Sequence, residues 1–146
     1  MKEILFRGKR IDNGEWIEGY YAVQSNHACF AHELKYTHFI FKDICLDFNL
    51  GGLQEFEVIP ETVGQYTRLK DKNGKQIFEG DIVQYYGTYP LEVYIEEGHT
   101  KIRWYDTISA SKYDELFFTI DREGYGEWEI IGNIHDNPEL LKGGAV

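Results

Sequence analysis

The chain has 146 residues, 42% hydrophobic and 16% aromatic, which excludes a disordered chain and sets an expectation of about one domain with room for two small lobes. Such a length buries roughly two-thirds of its unfolded surface, so folding needs neither disulfides nor a metal. With 15 Lys and Arg against 25 Asp and Glu, the net charge of −10 opposes a broad phosphate-contacting face and an anionic membrane surface.

A period of two dominates over 3.6. Residues 4–11 and 16–23 read as strands joined at Asn13-Gly14, a pair able to take positive φ at both central positions of a tight hairpin turn. Residues 33–41 and 44–48 read as further strands, with Gly51-Gly52 as the break after them. A short strand over 56–59 ends at Pro60, which cannot donate to a ladder and starts a single turn at a lobe boundary.

Residues 65–70 and 75–78 flank a second Asn-Gly turn, Asp71-Lys72-Asn73-Gly74. Glu79-Gly80-Asp81 leads into a strand over 82–86. Leu91, Val93 and Ile95 then share one strand face, and Glu92, Tyr94 and Glu96 the other. Glu97-Gly98-His99 turns this strand into 101–105, and strands over 116–120 and 127–131 follow. Asn137-Pro138-Glu139 suits one short helical turn. Isolated Gly8, Gly19, Gly64, Gly80 and Gly87 fit turns and bulges. Short strands at regular turns imply a mainly β protein, an antiparallel sandwich or barrel.

The run from Arg7 to Tyr20, RGKRIDNGEWIEGY, resembles the opening of YopX-type phage proteins. The blocks VIPETVGQYT, LKDKNGK and IFEGDIV, and the closing IGNIHDNPELL, resemble the same family and follow in the same order across nearly the whole chain. The resemblance implies a phage- or prophage-encoded bacterial protein, mainly β, with a small SH3-like barrel in its C-terminal part. It implies no activity and supplies no catalytic residue. Arg68 departs from the pattern, standing where a glycine is expected, and His135 stands where an aromatic is common. The expected division is an N-terminal β lobe over 1–59 and an SH3-like barrel with a short tail over 60–146.

His27, Cys29, His32, His38 and Cys45 are the candidate metal ligands. Positions i and i+2 of a strand face the same way, so His27 and Cys29 present donors together. The spacing matches no zinc motif, and Cys29 sits in an apolar context, so the expectation is a semi-buried thiol beside surface histidines with no bound metal or other cofactor. Carboxylate pairs at Glu96-Glu97 near His99, at Asp114-Glu115 and at Glu127 with Glu129 read as solvated faces. Asp136 beside His135 is half of a hydrolase dyad, without a recognisable nucleophile or oxyanion site. Phosphate-cradling loops, nucleophile elbows and dinucleotide fingerprints are missing from the sequence.

Aromatic pairs on strands remain as a lead. Tyr85, Tyr86, Tyr94 and Trp104 form a candidate interface, because adjacent aromatics place one ring on each sheet face. The expected function is a non-enzymatic accessory protein of the bacterial cytoplasm, acting through contacts with itself as a homo-oligomer or with a phage or host protein. The alternative is a nucleic-acid-associated factor using Tyr85, Tyr86, Trp104 and nearby lysines, disfavoured by the charge. A metal-dependent hydrolase ranks last. Lacking a signal peptide, a long apolar span and a disulfide framework, the chain is expected to be cytosolic with reduced thiols.

Overall fold

The computed structural model describes residues 4–25, 34–46, 50–85, 87, 89–105, 112–115 and 127–142. It is mainly β, with two antiparallel sheets and two compact units, Met1–Gln65 and Tyr66–Val146. No helix among the described residues is long and apolar enough to cross a membrane. The expected strand over 116–120 and the candidate ligands His27, Cys29 and His32 lie outside the described residues.

The first unit holds β1 (Phe6–Lys9), β2 (Trp16–Ser25), β3 (Tyr36–Leu46) and β4 (Leu50–Glu57), followed by a 3-10 turn at Pro60–Thr62. Neighbouring strands pair in the order β4-β3-β2-β1, and Gly64 and Gln65 at the start of β5 (Gly64–Lys70) pair with β1. The sheet curls until the chain after β4 returns to β1: Arg10 bridges Val58, Ile11 N–H donates to the Glu57 carbonyl and Ile59 N–H to the Lys9 carbonyl. Pro60 redirects the chain, and Thr62 accepts from the Lys9 N–H at 2.8 Å through its hydroxyl. The unit therefore runs through Gln65. Ile17, Ile40 and Val58 form its core, with Phe6, Tyr21, Phe56 and Val63 packed around them. Each fully buried aliphatic side chain contributes on the order of 1.5–3 kcal/mol.

Two local expectations change. Gly51 and Gly52 do not break the chain into separate strands; they pair with Cys45 and Ile44 inside β4, because an antiparallel partner outweighs weak intrinsic propensity. Gly8 and Gly19 also lie within strands, not turns. Gly19 is there because the Phe41 carbonyl oxygen stands 2.2 Å from where a Cβ would be.

The second unit contains the rest of β5, then β6 (Gln76–Phe78), β7 (Asp81–Tyr85), β8 (Leu91–Glu96), β9 (His99–Tyr105), β10 (Lys112–Glu115) and β11 (Trp128–Asn133), closing with a 3-10 turn at Pro138–Leu141. Its five-stranded sheet has the order β10-β9-β8-β7-β11. With β10 and β11 at opposite edges, these ladders make an open sheet and not a closed barrel among the described residues. Ile77, Val83, Leu91 and Val93 form the core, joined by Leu69, Ile102, Trp128 and Ile130. Strand β8 is not half-exposed as its alternation predicts: Glu92 and Tyr94 are as buried as Leu91, each 9% exposed. The Arg103 guanidinium covers the Tyr94 ring at 4.0 Å and lies 3.9 Å from Glu92.

Neither Asn-Gly pair takes positive φ at both positions. Gly14 and Gly74 do so alone, at φ 72° and 78°. Asn13 and Asp71 instead use side-chain oxygens to accept N–H groups two residues on, Glu15 and Asn73 respectively, each at 2.9 Å. The turn with two left-handed residues is Glu97-Gly98, at φ 51° and 77°, where Glu96 pairs directly with His99.

Arg68 is the other non-glycine residue with positive φ among the described residues, at 69°, within a register shift between Tyr66 and Lys70. The glycine expected at this position thus has a backbone reason. A left-handed residue with a Cβ costs about 1–2 kcal/mol, against about 0.5–1 kcal/mol for the extra freedom glycine loses on folding. Arg68→Gly is expected to stabilise the chain by about 0.5–1 kcal/mol, read as a higher urea midpoint at unchanged slope. A lower midpoint would contradict the strain argument.

Candidate functional site

Among the candidate metal ligands, His38 lies on β3 and Cys45 near its end. His38 is half-buried, and its Nδ1 shares a 2.5 Å hydrogen bond with the Tyr21 hydroxyl. The two rings stack at 5.9 Å, and burial pushes the Tyr21 phenol above its ordinary pKa. His38 thus braces the first unit's core face from the cross-strand diagonal. No group of three or more His, Cys, Asp or Glu side chains suited to a metal occurs among the described residues.

In two of the carboxylate pairs one member is held by a lysine. Glu96 reaches across the hairpin to Lys101 at 2.5 Å, and Glu129 pairs with Lys72 at 2.7 Å. Asp114 and Glu115 lie on β10. His135 and Asp136 belong to a turn organised by Asn133, whose Oδ1 accepts both their N–H groups at 3.0 and 2.9 Å while its amide donates to Asp136. Asn137 directs its side chain back to the Asn133 N–H at 3.4 Å, so it does not cap the 3-10 turn with its side chain. Asp81, 1% exposed, accepts the Phe78 N–H at 2.8 Å. Gly80 between them has φ 88°, donates to the Val93 carbonyl and accepts from Ile134. These polar motifs hold backbone turns together.

The candidate interface residues divide. Tyr85 is 38% exposed and packs on its cross-strand partner Trp128, ring centroids 5.0 Å apart. Tyr94 lies beneath Arg103, Trp104 is on β9, and Tyr86 falls outside the described residues.

A second aromatic surface, not singled out by the sequence, lies on β2, β3 and β4. Cross-strand partners point to the same side of a sheet, so the registers Tyr20–Phe41–Glu55 and Ala22–Phe39–Glu57 form two adjacent rows. These rows face away from Ile17, Ile40 and Phe56, which alternate with them. Tyr20 is 53% exposed, and Phe39 and Phe41 contact each other at 6.2 Å. The pairing of Phe39–Leu46 with Leu50–Glu57, invisible without the register, creates this surface. On the opposite side, Arg10 stacks over Phe56 at 4.6 Å and pairs with Asp12. That pairing raises the pKa of Arg10 and lowers that of Asp12. The wide depression beside it, about 510 Å³, mixes Arg10 and Lys42 with Glu15 and Asp43, giving no single-sign ligand site.

The family described as YopX protein matches residues 6–142. The chain belongs to the YopX protein family. Among solved structures, this YopX chain is similar to the crystal structure of protein EF1440 from Enterococcus faecalis, at 25% identity and TM-score 0.50, covering 95% of this chain and 98% of that one. No curated protein matches it.

Proposed function

We propose that this YopX-family chain is a non-enzymatic phage or prophage accessory protein, working in the bacterial cytoplasm through protein–protein contacts that include self-association. The observation that carries this reading is the outward aromatic surface of the first unit, where Tyr20 is exposed and Phe39 and Phe41 are half-buried. Soluble chains rarely leave contiguous apolar area uncovered unless it binds something. The family blocks support the same reading, because Asp71, Asp81 and Asn133 spend their oxygens on backbone N–H groups. The phage assignment rests on family resemblance. An SH3-like second unit is supported by its strand order, a meander whose last strand returns beside its first.

Self-association has a route at β4, the terminal strand of its sheet among the described residues. Short of Glu57, whose carbonyl accepts the Ile11 N–H, it offers an edge for pairing, with Leu53 64% exposed. Native mass spectrometry of untagged protein over a concentration series is expected to show assemblies of whole numbers of bare chains. Leu53→Lys, which places a charge on that edge, is expected to shift them toward monomer. A bare monomer at every concentration removes self-association. Excess mass lost on denaturation would instead indicate a retained ligand and count against a cofactor-free module.

A further inference from the structure

We infer that the outward face of β2–β4 is a docking surface for a basic polypeptide segment of another protein. This rests on the protein–protein reading but not on self-association. Exposed Tyr20 and half-buried Phe39 and Phe41 lie in adjacent rows, and the next residues along the same rows are Glu55 and Glu57, both exposed. Neither glutamate forms an ion pair among the described residues. An aromatic floor beside unneutralised carboxylates is complementary to Arg and Lys side chains. Their cationic heads stack on ring faces while pairing with carboxylates at the margin, and their apolar stems cover the remaining ring area.

The same charge pattern selects against other occupants. In a two-fold contact between copies of this face, the glutamate margins would meet like charge, which costs affinity. Phosphate backbones would be repelled by the same carboxylates and by a chain of net charge −10. The edge of β4 remains available for a second copy while the face takes the basic partner.

The test uses the full chain and two dye-labelled synthetic peptides, one of Arg, Lys and Leu, the other with Glu replacing each cation, titrated by fluorescence anisotropy at low salt. The basic peptide is expected to bind and the acidic one not. The double variant E55K/E57K is expected to weaken binding at least about tenfold, as loss of close charge pairs does at other interfaces. Tyr20→Thr, at an exposed strand position, is expected to weaken it several-fold. The charge-matched control E61K/E139K, on exposed residues of the two 3-10 turns, is expected to leave affinity within about twofold.

Equal weakening by the control would mean that net charge alone drives binding, and would overturn the assignment of the face. Failure of the basic peptide to bind, or equal binding of the acidic one, would overturn it too. A chain that assembles in native mass spectra yet ignores the basic peptide would refute this inference while leaving the broader reading intact.

Discussion

Gly19→Ala is expected to destabilise the first unit by about 3 kcal/mol or more, the upper end for overpacking. A Cβ at Gly19 would stand 2.2 Å from the Phe41 carbonyl oxygen and 3.0 Å from Ile40 Cγ2. The first contact is with backbone, so no side-chain rotation relieves it; β3 must move away from β2. Movement would also pull Ile40, 0% exposed, from the core it shares with Ile17 and Val58. Removing a glycine restricts the unfolded chain and favours folding by only about 0.4–1 kcal/mol, so the clash decides the sign. Gly52→Ala on β4 isolates the two effects, because nothing lies within 4 Å of its added Cβ and its φ is not positive. That variant is expected to gain stability by a few tenths to about 1 kcal/mol. Urea unfolding of the pair checks the argument, and a Gly19→Ala protein as stable as the parent would mean that β3 does not hold its close approach.

The same glycine shows where sequence reasoning stops. The alternation of residues 16–23 announces a strand, and an isolated glycine within it reads equally as a bulge, a bend or a close approach. Only the curl of the sheet selects the last. The hairpins around Gly14 and Gly74 were legible because Asn-Gly chemistry acts over four residues. Their turn geometry was not, since the Asn13 and Asp71 side chains compete for the backbone N–H groups that a two-residue turn would leave free. Arg68 carried a readable signal: a long side chain where the family pattern expects glycine marks a left-handed residue. The aromatic face of β2–β4 carried none. Tyr20, Phe39 and Phe41 are unremarkable alternating residues until the register places them in one patch, and register depends on partners far apart in the chain. Tyr94 illustrates the reverse, since its alternation with Val93 predicts exposure but Arg103 lies across its ring.

Asp71→Ala is expected to cost the second unit about 2–4 kcal/mol, the sum of several lost charge-assisted hydrogen bonds less what water restores. Asp71 is 5% exposed. Its Oδ1 accepts the Asn73 and Lys75 N–H groups, both at 2.9 Å, and its Oδ2 accepts the Ile130 N–H at 3.3 Å. One carboxylate thus shapes the turn after β5 and ties it to β11, where Lys72 N–H also donates to the Trp128 carbonyl at 2.7 Å. Asn73 and Lys75 are exposed, so water can replace their acceptor. Ile130 is half-buried and packed against the core of Ile77, Val83, Leu91 and Val93, so its N–H is harder to satisfy again. Removing one negative charge from a chain of net charge −10 relieves repulsion, an opposing effect spread over many screened surface charges and therefore small. Asp71→Asn keeps one carbonyl acceptor but not the charge, and is expected to fall between Asp71→Ala and the parent. Asn73→Ala, at an exposed turn position whose side chain makes none of these bonds, is expected to change stability by less than about 0.5 kcal/mol. If Asp71→Ala unfolds at the same urea concentration as Asn73→Ala, the carboxylate is not what fastens the turn to β11. If Asp71→Asn matches the parent, acceptor geometry alone holds the turn, and the charge of Asp71 contributes nothing to the unit.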